Sequence, residues 1–359
     1  MIQTNKYNLM NAKSLISFIL TVPLLLAACS REPAEPGGPL LTVELGPEFS
    51  TKAITGATAA EKKVNSLDLY VFDANGLLDI SHACSAAEIS AGKAVMRVKT
   101  GGKTVWALAN FNDALRAQTL AKATLDELGA VVVQLEDNVA DGLLMTASAN
   151  ANVVAGQGGS VSLDLGRSVA RVALGSVTNK LPAPYGTVTV LRAFLCNVAG
   201  NQNVRGDAGT TSWLNRNATP DNAAANHVIG TGNYVAQAKA LTFAELGDDV
   251  ALNGTKQYEG RFFYAFPNAL TSPNNGFSAT FSPTATVLMV VVKIKGVDYY
   301  YPVPLTGGLE RNKDYKVDLT LIGLGNTQDR PFDKIEKADL TATVRVSDWA
   351  TGAVYTESI

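Results

Sequence analysis

Tyr315-Lys316-Val317-Asp318-Leu319-Thr320-Leu321 alternates apolar and polar residues without a break. Successive side chains of a β-strand point to opposite faces, so a period of two describes a strand with one face in a core. The same pattern recurs along the chain. Leu41, Val43 and Leu45 alternate with Thr42 and Glu44, and Leu67, Leu69 and Val71 repeat the spacing. Val161, Leu163 and Leu165 do so again, as do Leu340, Ala342, Val344 and Val346 near the end. Residues 188–194, 261–266, 286–294 and 297–303 are further β-rich runs. Asp73-Ala74-Asn75-Gly76 sets Asn-Gly between apolar runs, a hairpin signal. Residues 95–98 and 104–109 read as a strand pair joined through Gly101-Gly102. The stretch 113–128 is the best helix candidate, capped by Asn112 or Asp113 and either continuous or split in two. Residues 200–260, rich in Asn, Gly, Ala and Asp, read as long surface loops. Many short strands and few helices predict an all-β protein made of two tandem β-sandwiches.

The N-terminus carries its own message. Lys6 and Lys13 precede an apolar segment, 15–26, that Pro23 interrupts and that is short for a membrane span. It ends in Leu26-Ala27-Ala28-Cys29, the pattern that bacterial lipoprotein processing cuts after diacylating the Cys29 thiol. Each buried CH₂ of an acyl chain contributes about 0.8 kcal/mol, and stable anchoring takes two such signals. Two or three chains on Cys29 meet that condition. Ser-Arg-Glu-Pro-Ala-Glu-Pro-Gly-Gly-Pro follows, a solvated tether. The division expected is a signal peptide at 1–28, a tether at 29–39, and sandwich domains at 40–166 and 167–359.

Composition excludes more than it identifies. The 359 residues carry a formal net charge of -2, and the leader takes two lysines with it; no basic run points to nucleic acid. Beyond Cys29 only Cys84 and Cys196 remain; they read as buried strand or loop positions, with a bridge between them left open. His82 and His227 are the only histidines, and they read as loop or packing residues, with no Cys or His at metal-ligand spacing. Asp248-Asp249 and Asp329 with Asp333 read as solvated loop carboxylates, because they lack a spaced Ca²⁺ loop ending in a bidentate Glu. No nucleophile elbow, P-loop or dinucleotide fingerprint is present. The expectation is a non-enzymatic protein with no catalytic residue, metal or cofactor.

Several blocks, in order, resemble the fimbrillins of Bacteroidales, the lipoprotein-precursor (type V) pilins of major and minor fimbriae. They are Val287-Leu288-Met289-Val290-Val291-Val292, Tyr299-Tyr300-Tyr301-Pro302-Val303 and Leu309-Glu310-Arg311-Asn312-Lys313-Asp314-Tyr315-Lys316-Val317. Arg167-Ser168-Val169-Ala170-Arg171-Val172, Tyr264-Ala265-Phe266-Pro267-Asn268 and Thr343-Val344-Arg345-Val346-Ser347-Asp348-Trp349 are similar too. The resemblance implies transthyretin-like Greek-key sandwiches with short helices in the connections. It also implies an outer-membrane lipoprotein precursor that a trypsin-like protease, often Arg-specific, activates by removing its first strand. A neighbouring pilin's C-terminal strand then fills the groove. Carried over, Leu41, Val43 and Leu45 are the expelled strand, while Leu340, Ala342, Val344 and Val346 belong to a donor segment at about 338–359. Partners would be identical or related pilin subunits, at the cell-surface fimbrium.

One departure bears on processing. No arginine lies between Arg31 and Arg97, so the basic cleavage position is Lys52, with Lys62 and Lys63 as second choices. Either a protease of another specificity acts, or the subunit stays uncut as a lipid-held anchor. A stalk subunit is favoured by the strand-like C-terminal extension. The competing reading is a glycan-binding surface lipoprotein, for which Trp213, between Asn-rich loops, is the aromatic platform to test rather than Trp106 or Trp349.

Overall fold

A computed structural model describes residues 37–46, 58–139, 141–207, 209–216, 238–273, 282–335, 339–348 and 354–358, and all structural statements concern these. Cys29, Lys52, His227 and Trp349 lie outside them.

The first half contributes β1 (Leu40–Leu45), β2 (Leu67–Asp73), β3 (Leu78–Ala83), β4 (Lys93–Arg97) and β5 (Gly101–Ala109). β6 (Val132–Gln134), β7 (Met145–Val153), β8 (Gly159–Leu163) and the two-residue β9 (Gly166–Arg167) follow. A three-stranded sheet, β4-β1-β8, faces a five-stranded sheet, β3-β2-β5-β7-β9. Leu41, Val43, Met96, Val161 and Leu163 from the small sheet share one core with Leu69, Val71, Val105 and Ala107 from the large one.

β2 departs from a half-buried strand: Leu67 to Phe72 are all buried. Period two finds only one covered face, and here the second is covered as well. Tyr70, Phe72, Trp106 and Leu108 pack with Leu115 of α2 (Asp113–Leu120) and Leu128 of α3 (Leu125–Gly129). The helix candidate is therefore two helices, capped by Asn112 and Thr124, whose side chains accept from Leu115 and Glu127 amides. Asp68, buried on β2, is held by a two-pronged pair from Arg116 of α2 at 2.7 Å. The hairpin at Asp73–Gly76 forms, and the amides of Leu77 and then Asn75 hold the Asp73 carboxyl below the usual carboxylate range. The expected pairing of 95–98 with 104–109 does not occur. β4 pairs with β1 and β5 with β2 and β7, so the Gly101-Gly102 link crosses between sheets.

The second half contributes β10 (Ala170–Asn179), β11 (Val188–Cys196), β12 (Val198–Ala199), β13 (Asn201–Asn203) and β14 (Trp213–Leu214). Then come β15 (Phe243–Val250), β16 (Thr255–Gln257), β17 (Phe262–Ala265), β18 (Val287–Ile294) and β19 (Val297–Pro304). The last are β20 (Lys313–Leu321), β21 (Leu340–Asp348) and β22 (Val354–Ser358). One sheet runs β16-β10-β20-β21-β22, with β17 also on β10; the other runs β15-β11-β18-β19. β18 is buried at every position but Lys293, which accounts for its unbroken apolar run. β15 corrects the loop expectation for 200–260: it is an edge strand whose Gly247 and acidic residues hide the pattern. Asp248 and Asp249 lie on this strand, not in a loop, and meet Lys256 at 3.1 Å and Thr189 at 2.6 Å. Charges on an edge oppose unwanted strand pairing. Cys84 and Cys196 are both free, Cys196 fully buried.

Gly158 sits where the β7–β8 hairpin touches β1. Its φ is +76°, and a Cβ there would lie 2.5 Å from the Leu40 carbonyl oxygen. Gly158→Ala is therefore expected to destabilise the first sandwich by about 1–3 kcal/mol, through left-handed strain and that clash. Urea denaturation of the precursor measures it, and the part due to the clash should vanish once β1 is removed.

Candidate assembly site

β1 is the middle strand of its sheet although it is the first strand among the described residues. It runs antiparallel to β4, with Leu41 opposite Met96 and Val43 opposite Ala94. On its other edge it runs parallel to β8, with Val43 opposite Val161 and Leu45 opposite Leu163. Leu41 is 0% and Val43 1% exposed, while Leu45 is half-buried against the same core. Burial of two such side chains contributes about 3–6 kcal/mol. The remaining hold is backbone: the Leu45 amide donates to the Gly92 carbonyl at 2.9 Å, and Gly46 to Leu163 at 2.8 Å. Arg97 donates to the Gly38 carbonyl at 2.9 Å, and the Glu44–Lys93 pair is exposed and contributes little. Withdrawal of β1 would leave an apolar slot with an unpaired strand edge on each side.

Downstream of β1 the chain is pinned separately. Residues 60–62 form a 3₁₀ turn whose Glu61 is wholly buried. Its carboxylate accepts from Arg171 Nη1 at 2.9 and 3.2 Å and from the Tyr264 hydroxyl at 2.6 Å. Arg167 Nε donates to the Glu61 carbonyl at 3.0 Å. Arg171 spends its other face on Asp314, at 2.8 and 2.9 Å. Burial opposes the Arg171 charge, but Asp314 and Glu61 overcome it and hold the guanidinium protonated. Burial, and then Glu61, push the Tyr264 hydroxyl far above the ordinary phenol range.

Three of the blocks singled out in the sequence, at 167–172, 264–268 and 309–317, send residues to this joint. Asn312 has φ 58°, a left-handed conformation that Asn tolerates, and its side chain accepts from the Arg167 amide at 3.2 Å. Arg311 reaches back to Thr146 and to the Gly166 carbonyl, at 2.8 and 2.9 Å. The Tyr315 hydroxyl accepts from the Glu310 amide, and buried Asn268 ties the Thr284 carbonyl to Leu270. A short ladder between β6 and β13 adds backbone pairing across the same joint. Glu61 was missed in the sequence, because nothing local distinguishes it from a surface glutamate.

At the other end, β21 lies against β20 along its whole length, and β22 closes the sheet as an edge. Leu340, Ala342 and Val344 are buried in the second core, with Val346 partly buried against it. Val344 and Val346 border a cavity of about 170 Å³ with Leu305, Gly307, Gly308 and Tyr315. In this state, then, the residues read as donor pack within their own sandwich. Trp106 is buried, and Trp213 is partly buried against the main core.

Residues 41–181 match the family model for the major fimbrial subunit protein (FimA), a stretch that begins on β1 and ends beyond β10. Over that stretch the chain is similar to the major fimbrial subunit family. Its fold is also that of a fimbrilin (fimA) from Porphyromonas gingivalis: TM-score 0.59 and 17% identity, covering 86% of this chain and 97% of that one. A putative cell adhesion protein from Bacteroides eggerthii superposes with TM-score 0.63 at 17% identity, covering 88% of this chain and 98% of that one. Another, from Parabacteroides distasonis, gives TM-score 0.58 at 18% identity, covering 87% and 99%. No curated protein matches this chain in sequence. Among the described residues no helix is long and apolar enough to cross a membrane.

Proposed function

We propose that this protein is a fimbrillin: a non-enzymatic, polymerising stalk subunit, exported on a lipid at Cys29 and opened by a trypsin-like cut at Lys52. The cut removes lipid and β1 together, and the Leu340–Asp348 region of a neighbouring subunit fills the slot. The observation that carries this reading is the position of β1: central in its sheet, apolar on its inner face and held without a covalent bond. Its alternation of Leu41, Val43 and Leu45 is the one that Leu340, Ala342, Val344 and Val346 can reproduce. The buried Glu61 supports Lys52 over Lys62 and Lys63, because a cut after either of these would strip Glu61 from Arg171 and Tyr264. Donation has a cost to the giver, since β21 must leave β20. The outer strand β22, paired on one side only, makes the hairpin the part of that sheet most easily peeled away.

Brief exposure of purified precursor to a low dose of trypsin tests the reading. The expected product has Ala53 at its N-terminus and runs as ladders or filaments. Monomer alone, after complete loss of residues 41–45, would sink it.

A further inference from the structure

His82, Cys84 and Glu88 come together where β3 ends and α1 (Ala86–Ala91) begins. One potential ligand atom from each lies within 4.8 Å of the others. From their chemistry, an imidazole nitrogen, a thiol sulfur and a carboxylate oxygen, we propose that these three side chains bind a Zn²⁺-like divalent ion, with the fourth position left to water. The set is wrong for Ca²⁺ or Mg²⁺, which take oxygen ligands, and right for a borderline metal with tetrahedral geometry.

The geometry is close to what such an ion requires. Two light ligands each about 2.0–2.1 Å from a tetrahedral centre stand about 3.3 Å apart. His82 Nε2 and Glu88 Oε1 are 3.0 Å apart, so a few tenths of an ångström of opening admits the ion. A sulfur and a light ligand on such a centre stand about 3.5 Å apart, inside the 4.8 Å that bounds the cluster. Glu88 is held for the task. Its other oxygen accepts from the Ser85 amide at 2.7 Å and the Ser85 hydroxyl at 2.8 Å, which fixes the carboxylate plane and leaves Oε1 aimed at His82. Cys84 is fixed through its backbone, its amide donating to the Leu67 carbonyl at 2.8 Å. The His82 and Glu88 side chains are 30% and 28% exposed, enough for an ion to enter and too little for the ligands to drift apart. Lys93 borders the same hollow but is paired with Glu44. On binding, the thiol releases one proton to solvent and the sulfur coordinates as thiolate.

The hollow beside the cluster is also lined by Val43, Leu45, Leu67 and Leu69. A metal there ties α1 to β3 at the rim of the β1 slot, next to the Gly92 carbonyl that receives the Leu45 amide. The measurement needs no polymerisation and so stands apart from the function proposed above. Untagged precursor, kept reduced with a phosphine, is titrated with Zn²⁺ by calorimetry and with Co²⁺ by absorption spectroscopy. The expected result is one ion per chain and a thiolate-to-cobalt charge-transfer band with tetrahedral ligand-field bands. Cys84→Ser should abolish the charge-transfer band, and His82→Ala should weaken Zn²⁺ binding about tenfold or more, with circular dichroism unchanged in both. Cys196, wholly buried and far along the chain, serves as the internal control. Absence of saturable Zn²⁺ binding to the unsubstituted chain overturns the proposal, as does a thiolate band that survives Cys84→Ser.

Discussion

Glu61→Ala is expected to cost this protein about 3–5 kcal/mol, among the largest effects of any single truncation here. The carboxylate has no access to solvent and satisfies two donors at once, Arg171 and Tyr264. Its removal takes that acceptor from the Tyr264 hydroxyl and one of the two carboxylates from the Arg171 charge. Equilibrium unfolding in guanidinium gives the magnitude, and a double-mutant cycle with Tyr264→Phe should return a coupling of about 1–3 kcal/mol. Glu61→Gln, which keeps the shape and loses the charge, should fall between the two. A loss below about 1 kcal/mol for Glu61→Ala would mean that the joint between the sandwiches is held by other contacts. The processing argument for Lys52 over Lys62 and Lys63 would then lose its physical basis.

The sequence made the strand inventory legible wherever one face meets solvent. β1, β20 and β21 announce themselves because Thr42, Glu44, Lys316, Asp318, Thr341 and Thr343 interrupt the apolar residues at every second place. β15 was invisible for the opposite reason: Glu245, Gly247, Asp248 and Asp249 suit an exposed edge and carry no apolar period. The misassigned pairing of 95–98 with 104–109 came from taking Gly101-Gly102 as a tight hairpin, when β4 belongs to the other sheet. The Arg167–Arg171 and Arg311–Tyr315 blocks were noticed only as a resemblance. Their reason is long-range, since Arg171 meets Asp314 from 143 residues away and Glu61 from 110. No local period encodes such a contact. The His82, Cys84 and Glu88 cluster was missed because its spacing fits no familiar ligand motif, although Ser85-x-x-Glu88 is a readable capping box that predicts a bend there.

Val43→Asp and Val344→Asp should have opposite consequences for assembly, and this contrast decides whether the two strands exchange. Both positions are buried, at 1% and 3% exposure, and a carboxylate in either apolar site costs about 4 kcal/mol or more once the lost burial is included. In the precursor, Val43→Asp loosens β1, so low-dose trypsin should cut it faster than the unsubstituted chain. After the cut the substituted residue has left with its strand. The resulting ladders should therefore survive heating in detergent as well as unsubstituted ones do. Val344→Asp stays in the mature subunit. It weakens β21 against its own β20, and it places a charge among the side chains that would fill a neighbour's slot. Ladders from that variant should be scarce and heat-labile, while the first sandwich of each subunit remains folded by circular dichroism and protease resistance. If instead Val344→Asp monomers assemble normally after processing, β21 is only a structural strand of its own sandwich. If Val43→Asp ladders are as labile as those of Val344→Asp, β1 has not left the slot. In either case the slot left between β4 and β8 must be filled by something other than the C-terminal strand.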